Sequence, residues 1–169
     1  MEIGFSLGSN MYNRKRLLMQ AKNLISTAPR TRFLEQSPIY ETTPVEMDGG
    51  RETPPLFLNA VVLFESKLPP DSWISYIEKI EKNLGRVRRS GEGNVSRPID
   101  IDIIFANGLE IDEPNLQIPH PRWNQRRFVV QPLCDIRPEL VLPGETRTVR
   151  EVLRALPVDE NMQRFEERW

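Results

Sequence analysis

The stretch LFLNAVVLFES at residues 56–66 limits the architecture more than any other part of the chain. Between residues 57 and 64 every side chain except that of Asn59 is apolar, so both faces of an extended strand would be apolar here. Because successive side chains of a strand point to opposite faces, such a strand must be covered on both sides. The sequence therefore predicts a central strand with a packed layer on each face.

Strand and helix patterns alternate around this strand. In chain order the segments are a strand at 2–9, a helix at 13–27, a strand at 31–42, the central strand, a helix at 69–85 and a strand at 98–105. We expect Gly8 to turn the chain into the first helix, and Pro38 to place the second strand at an edge or a bulge. The βαββαβ order predicts an α+β fold with a ferredoxin-like core, in which helices pack on a mostly antiparallel sheet.

The second half of the chain has weaker patterns. We expect a short strand near 116–118, a helix from about Asn124 and a short helix within RTVREVLRALP at 147–157. A length of 169 residues fits one domain with a sizeable core, and neither an internal repeat nor a linker is evident. The chain is therefore predicted to be a single domain over residues 1–169.

Composition excludes several classes of protein. The formal net charge is −1, from 23 basic and 24 acidic residues, so nothing global attracts nucleic acid or a membrane surface. Cys134 is the only cysteine and His120 the only histidine, which excludes an internal disulfide and a Cys/His zinc site. A metal would need oxygen ligands. The N-terminus has no signal-peptide pattern and no long apolar run occurs, so we expect a cytoplasmic protein.

The segment SRPIDIDII at 96–104 carries two carboxylates inside an isoleucine run. Asp100 and Asp102 are two residues apart, so on a strand both would point to the same face. By itself this pattern also fits an ordinary half-buried strand with an acidic outer face. Because Mg²⁺ prefers one or two carboxylates together with substrate phosphates, the pair is also a candidate magnesium site.

Arginines surround this segment in the sequence. They are Arg86, Arg88, Arg89 and Arg97 upstream, and Arg122, Arg126 and Arg127 downstream. The planar guanidinium group matches the geometry of phosphate oxygens. The two aspartates and the arginines on either side of them in the sequence therefore suggest a site for a metal ion and a polyphosphate. For Arg89, Arg122 and Arg127 the alternative of surface ion pairs stays open. Neither a P-loop nor a dinucleotide fingerprint is present.

For three further side chains, both a structural role and a role in ligand binding fit the sequence. Asn59 interrupts an apolar strand, and its amide must be satisfied by backbone groups or by a ligand such as a flat heterocycle. Phe128 is able to stack on such a ring, although an isolated phenylalanine is more often part of a core. His120 lies between prolines, where a structural role is the more common one.

Several motifs together resemble the 6-hydroxymethyl-7,8-dihydropterin pyrophosphokinase family of folate biosynthesis. They run in order from Ile3 to about Leu142 and are LGSN at 7–10, YETTPV at 40–45, FLNAVV at 57–62, GRVR at 85–88, SRPIDIDII at 96–104 and IPHPRWNQRRF at 118–128. The resemblance implies transfer of the β,γ-pyrophosphate of ATP to the hydroxymethyl group of the pterin, with release of AMP. It also implies two Mg²⁺ ions, with ATP as co-substrate.

The resemblance assigns roles to individual residues. It makes Asp100 and Asp102 the ligands of both magnesium ions, and Arg86 and Arg97 their catalytic partners. ATP would be bound by Glu81, Arg86, Arg88, Arg97, His120 and Arg126. The pterin would be held by the amide of Asn59, by stacking on Phe128 and by the backbone of Thr42, Thr43 and Val45.

The sequence departs from the family pattern at a few positions. Val95 stands where Gly or Ala is usual, and Pro121 stands where an aromatic residue is common, which weakens the case for one nucleotide contact. The loop at 46–55 is extended. Segments 41–56 and 86–96 are candidate lids that close over ATP and exclude water.

The expected partners are the two small-molecule substrates, with no nucleic acid and no membrane. We expect a monomer, and association with other folate enzymes stays open. Two alternative functions are a nucleic-acid-binding α+β module that uses the arginine-rich loop, and a family-shaped domain that binds pterin without catalysis or acts as a scaffold. The net charge of −1 disfavours the first, and retention of Asp100, Asp102, Arg86 and Arg97 disfavours the second.

Overall fold

The structure, a computed structural model, describes residues 1–43, 55–86 and 96–169. Its strands are β1 (Glu2–Ser9), β2 (Thr31–Gln36), β3 (Ile39–Thr42), β4 (Phe57–Ser66), β5 (Asp100–Ala106), β6 (Ile111–Glu113), β7 (Leu116–Ile118) and β8 (Gln163–Glu166). Its helices are α1 (Arg14–Ser26), α2 (Pro70–Asn83), α3 (Arg127–Ile136) and α4 (Val149–Ala155), and a 3₁₀ turn spans Trp123–Gln125.

The main sheet has six strands and is antiparallel throughout its described pairings. The strand order is β5-β1-β4-β3-β8, and β2 pairs with the other half of β4. The predicted mixture of helices and an antiparallel sheet is confirmed. β2 and β3 together form the second predicted strand, interrupted at Ser37 and Pro38 because proline cannot donate a ladder hydrogen bond.

Strand β4 is central and covered on both faces, as its sequence predicted. On one face α1 and α2 pack against alternate residues of β4, with Leu18 and Trp73 among the fully buried side chains. Trp73 meets Phe5 of β1 edge to face, with ring centroids 5.0 Å apart. On the other face α3 and α4 pack against Val61 and Leu63. Asn59, which alternates with the residues of β4 that face α1 and α2, also lies on this second face.

Two expectations about local structure need correction. Gly8 does not form a turn, since it lies inside β1 and is paired on both sides. The chain leaves the strand two residues later, and Asn13 caps α1 by accepting a hydrogen bond from the Arg16 N–H at 3.1 Å. Strand β8 was not expected, because a four-residue edge strand of mainly exposed residues carries no alternating apolar pattern.

The remaining expectations for the second half are met closely. The predicted short strand at 116–118 is β7, and the predicted final helix contains α4. The helix expected from about Asn124 begins with the 3₁₀ turn, and α3 follows from Arg127. Among the helices in the described parts of the chain, none is long and apolar enough to cross a membrane.

Candidate active site

Asp100 and Asp102 lie on one face of β5, as the two-residue spacing predicted. Asp100 is paired with Gly8 and Asp102 with Ser6 of β1. Ile101 and Ile103 point the other way, into the core formed with α1 and α2. The two carboxylates therefore face the side of the sheet that carries α3.

Asp100 is held between two arginines. Arg86 Nη1 lies 2.5 Å from one carboxylate oxygen, and Arg97 Nη1 lies 3.1 Å from the other. Arg86 also pairs with Glu81, a buried carboxylate of α2 whose oxygen accepts a hydrogen bond from the Ile101 N–H at 3.0 Å. Burial would lower the pKa of Arg86, but the charges of Asp100 and Glu81 outweigh it and raise that pKa. The start of β5 is thus fixed by a charged, hydrogen-bonded cluster.

Among the residues that the structure describes, Asp102 is much less compensated than Asp100. Its closest cation within those ranges is Arg126, whose Nη1 lies 3.8 Å away, beyond hydrogen-bonding distance. Removal from bulk water, followed by repulsion from Asp100, raises the pKa of Asp102 to about 6. Both effects penalise the negative charge, so a cation at this position would be favoured.

The donor set fits magnesium bound together with a polyphosphate. In the described ranges there is no group of three or more His, Cys, Asp or Glu side chains able to hold a metal ion without help. Mg²⁺ usually keeps several waters and takes one or two protein carboxylates plus phosphate oxygens. Asp100 and Asp102, on one strand face and with an excess of negative charge at Asp102, match that smaller requirement.

Gly8 separates the carboxylates from the amide of Asn59. In β1 it is paired with Asn59 of β4 on one side and with Asp100 of β5 on the other. A Cβ atom at position 8 would lie 3.3 Å from Asn59 Oδ1 and 3.9 Å from Asp100 Cβ. A side chain here would therefore fill the space between the two groups. The sequence pattern predicts a turn at Gly8. Only its place in the LGSN motif indicates that it has a role in the site.

The predicted pterin residues occupy the neighbouring strands. Asn59 is buried, and its Nδ2 donates to Thr42 Oγ1 at 2.7 Å. Because this bond fixes the amide, Asn59 Oδ1 is directed toward Gly8. Thr43 is exposed just after β3, and Val45 lies outside the described residues.

Arg126 and Phe128 approach from the start of α3. The Arg126 guanidinium lies 5.7 Å from the centroid of the half-buried Phe128 ring, a cation–π distance. Burial, and then the charge of Arg122, lowers the pKa of Arg126. An anion between these arginines would relieve that repulsion.

His120 lies beside the same arginines. Its backbone N–H donates to Ile104 O at 2.8 Å, and its Nδ1 accepts from the Arg122 N–H at 3.1 Å. Burial, then the charges of Arg126 and Arg122, lowers the pKa of His120 to about 4. At neutral pH the ring is therefore uncharged, with its proton on Nε2.

Asn10 fixes the backbone at Arg97, a role that sequence reasoning missed. Its Oδ1 accepts from the Arg97 N–H at 2.8 Å, and its Nδ2 donates to Ser96 Oγ at 3.2 Å. Arg97 Nε is buried and has no hydrogen-bond partner within the described parts of the chain. Asn10 is the last residue of LGSN, so the motif held the signal, but its partner is 87 positions away.

The other arginines divide into distinct groups. Arg127 Nη1 donates to the carbonyl oxygens of Leu153, Leu156 and Pro157 at 3.4, 3.2 and 3.0 Å, so it caps the end of α4. Its role is structural, although the alternative considered for it was a surface ion pair. Arg122 is exposed beside His120. Arg88, Arg89 and Val95 lie outside the described residues.

Curated relatives were found across most of the chain. The 2-amino-4-hydroxy-6-hydroxymethyldihydropteridine pyrophosphokinase of Porphyromonas gingivalis is 42% identical to this chain over 137 residues, which cover 80% of this chain and 90% of that protein. The protein of the same name from Methylorubrum extorquens is 36% identical over 150 residues, covering 89% and 90%. The folic acid synthesis protein fol1 of Pneumocystis carinii is 38% identical over 138 residues, which are 82% of this chain and 18% of that protein.

Solved structures share the fold. An HPPK-DHPS crystal structure in complex with substrates matches with a TM-score of 0.72 at 13% identity, over 96% of this chain and 46% of that chain. Wild-type HPPK-DHPS of Plasmodium falciparum matches with a TM-score of 0.70 at 15% identity, over 96% and 48%. The chain spans about half the length of these structures, and at such identities the match concerns the fold alone.

A model of one family matches residues 4–138, which include both aspartates, Asn59, Phe128 and the arginines around Asp100. The match covers more than half of the chain, and two relatives are 36–42% identical over at least 80% of it. Together these findings establish the family of the chain. The chain belongs to the 7,8-dihydro-6-hydroxymethylpterin-pyrophosphokinase (HPPK) family.

Proposed function

We propose that this protein transfers the β,γ-pyrophosphate of ATP to the hydroxymethyl oxygen of 6-hydroxymethyl-7,8-dihydropterin, giving the pterin diphosphate and AMP in folate biosynthesis. The observation that carries the proposal is the side-by-side placement of Asp100, Gly8 and Asn59 across three strands. Because neighbouring strands are about 4.8 Å apart, the backbones of Asp100 and Asn59 are about 10 Å apart. That span suits a heterocycle at Asn59 whose side group points toward phosphates at Asp100.

The phosphate side of the site contains several basic side chains and hydrogen-bond donors. Arg86 and Arg97 flank Asp100, Arg126 lies near Asp102, and the neutral His120 lies close to Arg126. In this proposal the buried Arg97 Nε and the His120 Nε2–H donate to phosphate oxygens, and Arg126 supplies positive charge. Charge-assisted bonds of this kind are roughly twice as strong as neutral ones.

In this proposal the pterin side combines a polar amide edge with an aromatic ring. Asn59 presents its amide edge with Oδ1 toward Gly8, and Thr42 holds that amide in place. Phe128 supplies a ring face for stacking. A flat heterocycle with donors and acceptors on its edge meets both requirements.

Asp100 and Asp102 would hold the magnesium ions, and bound magnesium would neutralise charge on the phosphate oxygens. In the reaction a bond forms between the pterin oxygen and the β-phosphorus, and the bond from that phosphorus to the α,β-bridging oxygen breaks. AMP leaves with the bridging oxygen, and the proton of the pterin hydroxyl is released to water. Little covalent help is needed, so the contribution of these residues is alignment and preorganised positive charge. We assign no general base among the described side chains.

The test is to incubate the protein with ATP, Mg²⁺ and 6-hydroxymethyl-7,8-dihydropterin and to identify the nucleotide product. AMP together with the pterin diphosphate is the expected result. ADP would instead indicate an ordinary kinase. Pterin binding by calorimetry without any pterin-dependent nucleotide product would favour a binding-only domain.

We also infer a ferredoxin-like core, a single domain and a monomeric, cytoplasmic protein. The strand order β5-β1-β4-β3, with β2 and β3 as one interrupted strand, supports the first inference. Pairing of the late strand β8 with β3 supports a single domain. The HPPK-DHPS chains are relatives in fold in which this unit is part of a longer chain, in line with association with another folate enzyme.

A further inference from the structure

The row of paired residues that contains Asp100, Gly8 and Asn59 continues to the far edge of the sheet. Asn59 is opposite Tyr40 of β3, and Tyr40 is in turn opposite Arg164 of β8. Directly paired residues project to the same face of a sheet, so all five lie on the face that carries α3. The C-terminal strand is thereby connected, residue by residue, to the predicted pterin site.

Tyr40 joins this row to α3. Its hydroxyl group donates to Asp135 Oδ2 at 2.7 Å and accepts from Arg164 Nη2 at 3.2 Å. Burial, and then the hydrogen bond to Asp135, raises the pKa of Tyr40 to about 12, so the hydroxyl keeps its proton at any working pH. Asp135 Oδ1 also accepts from Gln131 Nε2 at 3.1 Å and lies 3.9 Å from Arg164. This cluster ties the last turn of α3 to β3 and β8.

The helix transmits that attachment to its first turn. Phe128 and Asp135 are seven residues apart, which is almost two full turns, so they lie on the same side of α3. At 1.5 Å per residue they are about 10.5 Å apart along the axis. Anchoring Asp135 to Tyr40 therefore fixes how closely Phe128 approaches the strand that carries Asn59.

We propose that Tyr40, Asp135 and Arg164 are positioning residues that set the gap between Phe128 and Asn59 in which the heterocycle is held. The inference rests on the proposed function for the nature of that ligand. None of the three residues needs to touch the substrate. Arg164 lies beyond residues 4–138, so a segment outside the family match contributes to the geometry of the site.

The test measures steady-state constants for both substrates in Tyr40→Phe, Asp135→Ala and Arg164→Gln. The Tyr40 hydroxyl bonds a carboxylate that does not itself touch the ligand, so only part of the energy of that bond would reach the pterin site. We therefore expect the pterin KM to rise by about three- to tenfold in Tyr40→Phe. The ATP KM should stay within about twofold, since the phosphate side does not depend on this cluster. Asp135→Asn keeps an acceptor for Tyr40 and should restore most of the loss seen in Asp135→Ala.

Two matched controls separate positioning from general destabilisation. Tyr76→Phe removes a hydroxyl from the α2 face, and Arg168→Gln removes an exposed charge near Arg164. Both should leave the pterin KM unchanged. In the double variant Tyr40→Phe/Asp135→Ala we expect no further rise beyond the single variants, because both remove the same contact.

The possible outcomes are distinct. If wild type makes AMP from ATP and pterin but Tyr40→Phe and Asp135→Ala keep its pterin KM, the positioning role is wrong while the proposed function stands. If both substrate constants rise together and follow the loss of melting temperature, the cluster is merely structural. If wild type makes no pterin-dependent AMP, the proposed function itself fails. Should Tyr40→Phe not fold, Arg164→Gln and Asp135→Ala decide in the same way.

Discussion

Asn59 and Asp100 lie on strands that do not touch, yet both are paired with the same residue, Gly8. A carboxylate that suits metal and phosphate and an amide that suits a heterocycle are thus separated by a position without a side chain. The absence of a Cβ at Gly8 is a requirement of the site rather than of the strand, because its backbone is ordinary β-structure.

Gly8→Ala should therefore impair activity more than stability. The added methyl group would lie 3.3 Å from Asn59 Oδ1 and would displace the amide or the bound heterocycle. Since misplacement by about 1 Å can cost about 100-fold in rate, we expect kcat/KM to fall by about 10- to 100-fold. Steady-state kinetics and a melting curve measure the two effects.

Two other glycines provide the controls for this substitution. Gly108→Ala should be silent, because a Cβ at that position meets nothing within 4 Å. Gly4→Ala should mainly reduce stability, because its Cβ would overlap the ring of the buried Phe105. Full activity of Gly8→Ala would contradict the proposal that the site needs a position without a side chain between Asn59 and Asp100.

Replacement of Asp100 and replacement of Asp102 should differ in their effect on stability. Asp100→Asn removes the carboxylate that pairs with both Arg86 and Arg97, although Arg86 keeps its pair with Glu81. We expect the free energy of unfolding to fall by about 1–2 kcal/mol. Asp102→Asn removes a poorly compensated charge, so the apo protein should be as stable as wild type or more stable. Urea unfolding of the apo proteins checks this.

Both aspartate variants should be inactive, because both carboxylates are assigned to magnesium. Equal stability of the two variants would show that the arginine pairs at Asp100 contribute nothing measurable. Retained turnover in either variant would remove that residue from the metal site.

The pH dependence of stability should contain two opposing contributions. The pKa of His120 falls from 6.5 in the unfolded chain to about 4 in the folded protein, so between those values only the unfolded chain binds the proton. Lowering the pH from about 6.5 to about 4 therefore destabilises the fold through His120. The pKa of Asp102 rises from 3.8 to about 6, so lowering the pH through about 6 to 3.8 stabilises the fold through Asp102.

Single variants separate these contributions. Relative to wild type, His120→Asn should gain stability as the pH is lowered, and Asp102→Asn should lose it. The measurement is the urea midpoint of the apo protein between about pH 4 and pH 7.5 with a chelator present. Curves parallel to wild type would contradict the assigned environments of the two groups.

Arg126 and Arg127 are adjacent in sequence but should respond differently to replacement by glutamine. Arg126→Gln removes a charge that faces Asp102 and Phe128, so we expect kcat/KM for ATP to fall by about tenfold or more with an unchanged melting temperature. Arg127→Gln removes the cap of α4, so stability should fall by about 1 kcal/mol while kcat/KM stays near wild type. If Arg126→Gln instead lowered only stability and Arg127→Gln lowered only kcat/KM, Arg127 would be the residue that acts on ATP and Arg126 the structural one.

Much of the architecture follows from local patterns in the sequence. Apolar residues on both faces of 57–64 require a central strand, and the two-residue spacing of Asp100 and Asp102 requires a shared face. The motifs around them also indicated the family. These features depend on residues that are close in sequence, where side-chain periodicity is a direct consequence of backbone geometry.

The tertiary structure alone determined which of these residues meet. Strand register placed Gly8 between Asn59 and Asp100, and it extended the same row to Tyr40 and Arg164. The start of α3 directed Arg126 toward Asp102 and left Arg127 to cap α4. Such contacts join positions far apart in the chain, and the packing of the whole sheet and its helices sets them, so no local pattern specifies them.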